Sequence, residues 1–170
     1  ERGTATITNN GTWKAGSGAV IMGKNDSDGT GDYATVTFTN QSGGVIQNAS
    51  DGSLTYTPLT GATYLNQQLT LTNQGVISPG AGHNGTGTSS VGTFTMNNID
   101  VTFTGSAATL RIDLGGTSAG TYDRLVLNNG ALTLDSDSNL ELYYVNGYVP
   151  SLLDSWTILG YASRTGEFDL

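Results

Sequence analysis

One phrase recurs along this chain and limits what it can fold into: an alternating apolar/Thr strand, an Asn-x-Gly break, then another short apolar pair. It stands at Thr6-Ile7-Thr8-Asn9-Asn10-Gly11-Thr12-Trp13, at Val36-Thr37-Phe38-Thr39-Asn40 with Gly44-Val45-Ile46, and at Leu69-Thr70-Leu71-Thr72-Asn73-Gln74-Gly75-Val76-Ile77. Leu125-Val126-Leu127-Asn128-Asn129-Gly130-Ala131-Leu132 is a fourth copy, and Phe94-Thr95-Met96-Asn97-Asn98-Ile99 a shortened one. Alternation puts the apolar side chains on one face of each strand and the hydroxyls on the other, so each strand reads as half-buried. Asn and Gly enter left-handed backbone conformations at low cost, so the Asn-x-Gly breaks are expected to bend the chain sharply. Ser78-Pro79-Gly80 then ends a segment, because Pro cannot donate to a ladder.

Taken as equivalent, Ile7, Phe38, Leu71, Met96 and Leu127 recur at a loose interval of roughly 30 residues, shortest between Leu71 and Met96, a period of the stacked-repeat kind. A hairpin would need a second strand of about five residues after each turn. Only two or three strand-forming residues follow Gly11 and Gly75. The spacing therefore predicts an all-β chain built as a parallel β-solenoid of six or seven coils, with an antiparallel β-sandwich as the alternative.

Composition supports the all-β reading. Gly, Thr, Ser and Asn supply 80 of the 170 residues, and Glu, Lys and Arg together only nine. Thr favours strands, Gly, Asn and Ser favour turns, and no stretch repeats apolar residues at helical spacing. At this length one domain spanning 1–170 is expected, with less regular coils over 1–68 and more regular ones over 69–170. Beyond Leu142 the chain holds Tyr143, Tyr144, Tyr148, Trp156, Tyr161 and Phe168, which predicts a bulkier core or cap there.

Charge and cysteine content narrow the function classes. A formal net charge of −8 with six scattered Lys and Arg leaves no basic patch for a phosphate backbone, so nucleic acid is not an expected partner. The absence of Cys removes disulfides, thiol catalysis and Cys-ligated zinc. No apolar run reaches the roughly 18 residues that a transmembrane segment needs. A Thr/Asn/Gly-rich chain without disulfides suggests an extracellular or bacterial cell-surface location.

From about residue 69 onward the order of phrases carries a family likeness. These are Gly75-Val76-Ile77-Ser78-Pro79-Gly80, Gly92-Thr93-Phe94-Thr95-Met96-Asn97, Leu110 to Leu114, Thr121 to Leu127, Trp156-Thr157-Ile158-Leu159 and Gly166-Glu167-Phe168-Asp169. In this the chain resembles the passenger regions of autotransporters and related Gly/Asn/Thr-rich bacterial surface proteins. The resemblance implies a right-handed parallel β-helix. It implies little about activity, because the same scaffold carries adhesins, proteases and fibres.

The residues with chemical potential are few. In Asn25-Asp26-Ser27-Asp28-Gly29-Thr30-Gly31-Asp32, alternate oxygens at Asp26, Asp28 and Thr30 with Asp32 imitate the first half of a calcium loop. The twelfth position holds Thr37 rather than a bidentate Glu, so a solvated acidic turn is the simpler reading and calcium the sharper one. Asp135-Ser136-Asp137-Ser138-Asn139 is a paler version. His83, the single histidine, lies in a Gly/Asn/Ser loop with no partner in sequence for triad chemistry. Asp113, Asp123, Asp135 and Glu141 could form a carboxylate pair for sugar cleavage only if two of them converge on one groove, and Glu141 alternates so as to face outward.

The expectation from sequence is thus a non-catalytic structural module without a cofactor: a stalk, adhesin segment or fibre subunit, pairing end to end with copies of itself through exposed strand edges. The alternative is a carbohydrate-binding or carbohydrate-processing module in which Trp13, Tyr33 or Tyr56 stack on surface glycans.

Overall fold

A computed structural model describes residues 4–16, 19–22, 35–48, 51–56, 69–80 and 90–169. The first coil is β1 (Thr4–Asn9), β2 (Thr12–Ala15) and β3 (Ala19–Met22), and the second β4 (Thr35–Asn40), β5 (Val45–Asn48) and β6 (Gly52–Tyr56). The third is β7 (Leu69–Asn73), β8 (Val76–Ser78) and β9 (Thr93–Asn97), and the fourth β10 (Ile99–Phe103), β11 (Thr109–Leu114) and β12 (Arg124–Asn128). The fifth is β13 (Ala131–Leu134), β14 (Asn139–Tyr144) and β15 (Leu159–Gly160), after which β16 (Ser163–Thr165) opens a sixth.

Among the described residues, strands that are consecutive in sequence do not pair with each other. The first strands of the coils stack as one sheet in the order β1-β4-β7-β10-β13-β16, the second strands as β14-β11-β8-β5-β2, and the third as β15-β12-β9-β6-β3. We call these sheets A, B and C. Every ladder between them is parallel. The chain is a three-sided parallel β-solenoid, and the antiparallel sandwich is excluded.

Register fixes the length of a coil. Ile7 faces Phe38, Phe38 faces Leu71, Leu71 faces Val101, Val101 faces Leu132 and Leu132 faces Arg164. Each coil therefore takes roughly 30 residues, an ordinary length for a solenoid repeat. The described residues accordingly make five coils and the start of a sixth, fewer than the six or seven expected. The register also corrects the repeat alignment. Met96 and Leu127 lie in sheet C in line with Leu54, not in sheet A with Leu71. The short step from Leu71 to Met96 in the sequence alignment was a change of sheet, because Asn-Asn-Gly after Leu127 turns the chain from C to A, whereas Asn-x-Gly after Leu71 turns it from A to B.

The inward positions fill the lumen with one continuous core. Phe38, Leu71, Val101 and Leu132 form its column in sheet A, Ile46, Ile77 and Leu110 in sheet B, and Leu54, Met96 and Leu127 in sheet C, all buried. Because each inward side chain has a like neighbour above and below, the apolar area of every strand is covered by the next coil. The cover stops at the sheet B strand of the fifth coil. Leu142 and Tyr144 continue the columns of the buried Ile112 and Leu114 yet are 46% and 54% exposed.

Corners are held by asparagine side chains. At the A–B corner Asn9 Nδ2 donates to Asn40 Oδ1 and Asn40 Nδ2 to Asn73 Oδ1, each at 2.7 Å. Asn40 Nδ2 also reaches Gly44 O and Val76 O at 3.2 and 3.1 Å, and Asn73 Nδ2 closes the ladder on Gly75 O at 2.9 Å. The next residue in register is Phe103, so the polar column gives way to an apolar one. In the third copy of the phrase the glycine is required for a reason other than a left-handed turn. Gly75 lacks a positive φ, but a Cβ there would stand 2.3 Å from Gly44 O and 2.4 Å from Gln41 O. Left-handed backbone occurs at the C–A corners, where Asn98 and Asn129 have φ of 57° and 59°, and at other A–B corners, where Gly43 and Gly105 have φ of 87° and 83°.

Candidate functional site

The B–C corner gathers the buried polar groups. Gly80 follows β8 with φ of 76°, and its N–H donates to Asn48 Oδ1 at 2.9 Å, while Asn48 Nδ2 donates to Thr93 O at 3.1 Å. Asp123 Oδ1 accepts from Gly92 N–H at 2.8 Å and Oδ2 from Asp113 N–H at 3.0 Å, and Asp123 N–H donates to Asp113 O at 2.8 Å. A Cβ on Gly80 would meet Ser90 O at 2.1 Å and Asp123 Oδ1 at 2.9 Å, so the turn must be glycine. Three successive coils are thereby tied at one corner: Asn48 from the second, Gly80 and Gly92 from the third, and Asp113 and Asp123 from the fourth.

Of the acidic candidates, Asp113 and Asp123 are the two that converge, and both are fully buried. Strict alternation would turn Asp113 outward on β11 beside the inward Ile112 and Leu114. It is covered because residues 115–123 fold back over the strand, with a Leu114–Tyr122 antiparallel bridge and a Gly115 N–H to Thr121 O bond of 2.8 Å. Burial pushes the Asp123 carboxyl up to about 8; the N–H bonds from Asp113 and Gly92 oppose this, and the charge of Asp113 adds to it. A glycan-cleaving pair must reach the scissile oxygen from an open groove, whereas both side chains are buried and both Asp123 oxygens accept from backbone amides inside the wall.

The remaining candidates are dispersed. Glu141 faces outward as expected and accepts from Arg111 Nε at 2.9 Å, with the guanidinium 5.7 Å from the Tyr143 ring centre. Asp135 organises the A–B corner of the fifth coil. Its carboxylate accepts from Asp137 N–H and Gly105 N–H at 3.4 and 3.3 Å, bonds that hold its carboxyl below the usual range. Asp26, Asp28, Thr30 and Asp32 lie outside the described residues, as do His83 and Tyr33. Among the described residues no three His, Cys, Asp or Glu side chains gather as metal ligands. Trp13, half-buried, packs edge-on against Phe38 with ring centres 5.8 Å apart, and Tyr56 is buried.

Sequence reasoning missed two features. The asparagines of the repeated phrase read as turn formers, whereas their amides bond along the solenoid axis; the signal was their recurrence at the coil length. The other is an open groove of about 630 Å³ at the C–A corner of the third to fifth coils, lined by Asn97, Val126, Asn128, Gly160, Tyr161 and Ala162 among others. Comparison with protein-family models, with curated proteins and with solved structures found no match.

Proposed function

We propose that this chain is a non-catalytic extracellular structural module of a bacterial surface protein, serving as a stalk, adhesin segment or fibre subunit. The observation that carries the reading is the single apolar lumen, built by in-register parallel strands and enclosed by polar outer faces. The register Thr39–Thr72–Thr102–Thr133–Thr165 is one such outward line. Length in a solenoid grows by adding coils without altering the cross-section, which suits a spacer. The buried Asp123 carboxylate supports the same reading, because both its oxygens serve as hydrogen-bond acceptors in the wall.

End-to-end pairing of copies belongs to this proposal, with the exposed rung at Leu142 and Tyr144 and the edge of β14 as the contact. Sheet A contributes less, since its last strand puts Arg164 in the column of Leu132 and Ile7. Light scattering over a wide concentration range tests the contact: concentration-dependent growth supports it, and a strict monomer removes it. Release of reducing ends from a polysaccharide panel by the purified chain, lost in Asp123→Asn, would overturn the non-catalytic reading itself.

A further inference from the structure

The groove at the C–A corner arises from two small residues in an otherwise filled wall. Along sheet C the outward column Ser53–Thr95–Val126 ends on Gly160, which leaves Val126 uncovered on that side. Beside it runs a ladder of polar side chains: Asn97 Nδ2 donates to Thr55 Oγ1 at 2.9 Å, and Asn128 Nδ2 to Asn97 Oδ1 at 2.9 Å. Each amide gives its N–H to the coil beneath, so the ladder ends with Asn128 Oδ1 as an acceptor at the groove. The groove also contains Ala162, whose N–H is spent on Gly130 O at 3.0 Å, and so no amide or hydroxyl among the described residues continues the ladder. Tyr161, 43% exposed, adds an aromatic ring and a hydroxyl.

We propose that this groove binds a neutral saccharide. All of its lining residues are uncharged, and the chain as a whole carries −8, which repels uronates and phosphosugars. A pyranose ring is amphipathic: its C–H face matches Val126 and the Tyr161 ring, and its edge hydroxyls match the amide oxygen at the end of the ladder. Asn128 Oδ1 accepts one such hydroxyl, and the tyrosine hydroxyl serves as donor or acceptor for another. The volume lies within the range of small-molecule sites, roughly 300–1,000 Å³. The site is independent of end-to-end pairing and of the structural role of the solenoid.

Titration of the isotopically labelled chain with cellohexaose, maltohexaose, xylohexaose and chitotetraose, followed by amide NMR, tests the proposal. Polygalacturonate serves as the charged comparison. A saturable shift confined to the side-chain amides of Asn97, Asn128 and Asn129 and the backbone of 160–162 is expected with one of the neutral sugars. Tyr161→Ala should weaken it roughly threefold to tenfold, the value of one lost aromatic contact. Gly160→Leu, which plugs the notch from the outside, should abolish it; an unchanged far-ultraviolet spectrum and melting curve establish that each variant is folded. No saturable shift with any neutral sugar, shifts that survive both substitutions, or a preference for polygalacturonate would each overturn the assignment.

Discussion

Asn40 Nδ2 donates to Asn73 Oδ1 at 2.7 Å across one coil step, and Asn40 Oδ1 accepts from Asn9 Nδ2 on the other side at the same distance. The buried middle amide therefore has partners both above and below, and its N–H group also meets two backbone carbonyls. Asn40→Ala leaves the Asn73 oxygen without its donor inside the wall, deprives Asn9 Nδ2 of its acceptor and takes one of the donors from Gly44 O, which keeps its bond from Val76 N–H. A loss of roughly 2–4 kcal/mol in unfolding free energy is expected, the cost of several orphaned buried polar groups. Asn9→Ala, at the half-buried end of the same ladder, removes the bonds to Asn40 Oδ1 and Val45 O where water can replace them, and should cost about 1 kcal/mol. Urea unfolding of the two variants measures the contrast; equal losses would show that the ladder does not act as a column.

Gly75 and Gly11 occupy the same place in the repeated phrase but in different coils. Beneath Gly75 lie Gly44 O and Gln41 O, within 2.4 Å of where a Cβ would stand, while a Cβ on Gly11 would meet nothing within 4 Å. Gly75→Ala should destabilise by roughly 2–3 kcal/mol through overpacking against backbone that cannot move aside. Gly11→Ala should change stability by less than about 0.5 kcal/mol. Thermal melts of both variants check the claim, which would fail if Gly11→Ala were the more harmful.

Much of the fold was legible because alternation and turn composition are local properties. The inward faces of Phe38, Leu71 and Phe94 follow directly from period two, and the brevity of the segments after Gly11 and Gly75 rules against hairpins. The sheet assignment was harder to read, since Leu127-Asn128-Asn129-Gly130 and Leu71-Thr72-Asn73-Gln74-Gly75 use the same residues at different corners. Local sequence specifies that a corner forms; stacking on the previous coil decides which corner it is. The Asp113–Asp123 pair was beyond reach for a similar reason. The burial of Asp113 depends on residues 115–123 folding back, and nothing in Leu110-Arg111-Ile112-Asp113-Leu114 records that.

Asp123 sets a pH dependence of opposite sign to that of the exposed carboxylates. Its pKa rises from 3.8 to about 8 on folding, so between those values the folded chain holds a proton that the unfolded chain releases. Its contribution is complete below about pH 4 and fades as pH climbs towards 8, by at most about 1.4 kcal/mol per pH unit for one proton. Asp135 and Asp154 have lowered values, and their contribution is instead lost as pH falls through the acid range. The midpoint of thermal unfolding should decline from pH 5 to pH 8 in the natural chain and lie flatter in Asp123→Asn. An unaltered slope in that variant would place the titrating group elsewhere.

Trp156 Nε1 donates to Gly116 O at 2.7 Å and pins residues 145–158 of the fifth coil onto the 115–121 segment of the fourth. The Trp156 ring meets Tyr148 edge-on at 6.2 Å, and Tyr148 in turn donates its hydroxyl to Asp154, which also accepts from Ser151 N–H. The turn that carries the exposed Leu152 and Leu153 is thus clipped internally by Asp154 but attached to the body of the solenoid by the indole N–H. Trp156→Phe preserves most of the ring packing and removes that one donor, leaving Gly116 O to find water. Hydrogen exchange at Tyr148 and Asp154, whose amides close the turns of this segment, should quicken about fivefold to tenfold, the equivalent of one hydrogen bond in local opening. Amides of Val101 and Phe103 in β10 should be unaffected, because their ladders to β7 and β13 do not involve the segment. Acceleration spread evenly over both groups would mean that the fifth coil opens together with the rest of the solenoid and that the indole bond has no local role.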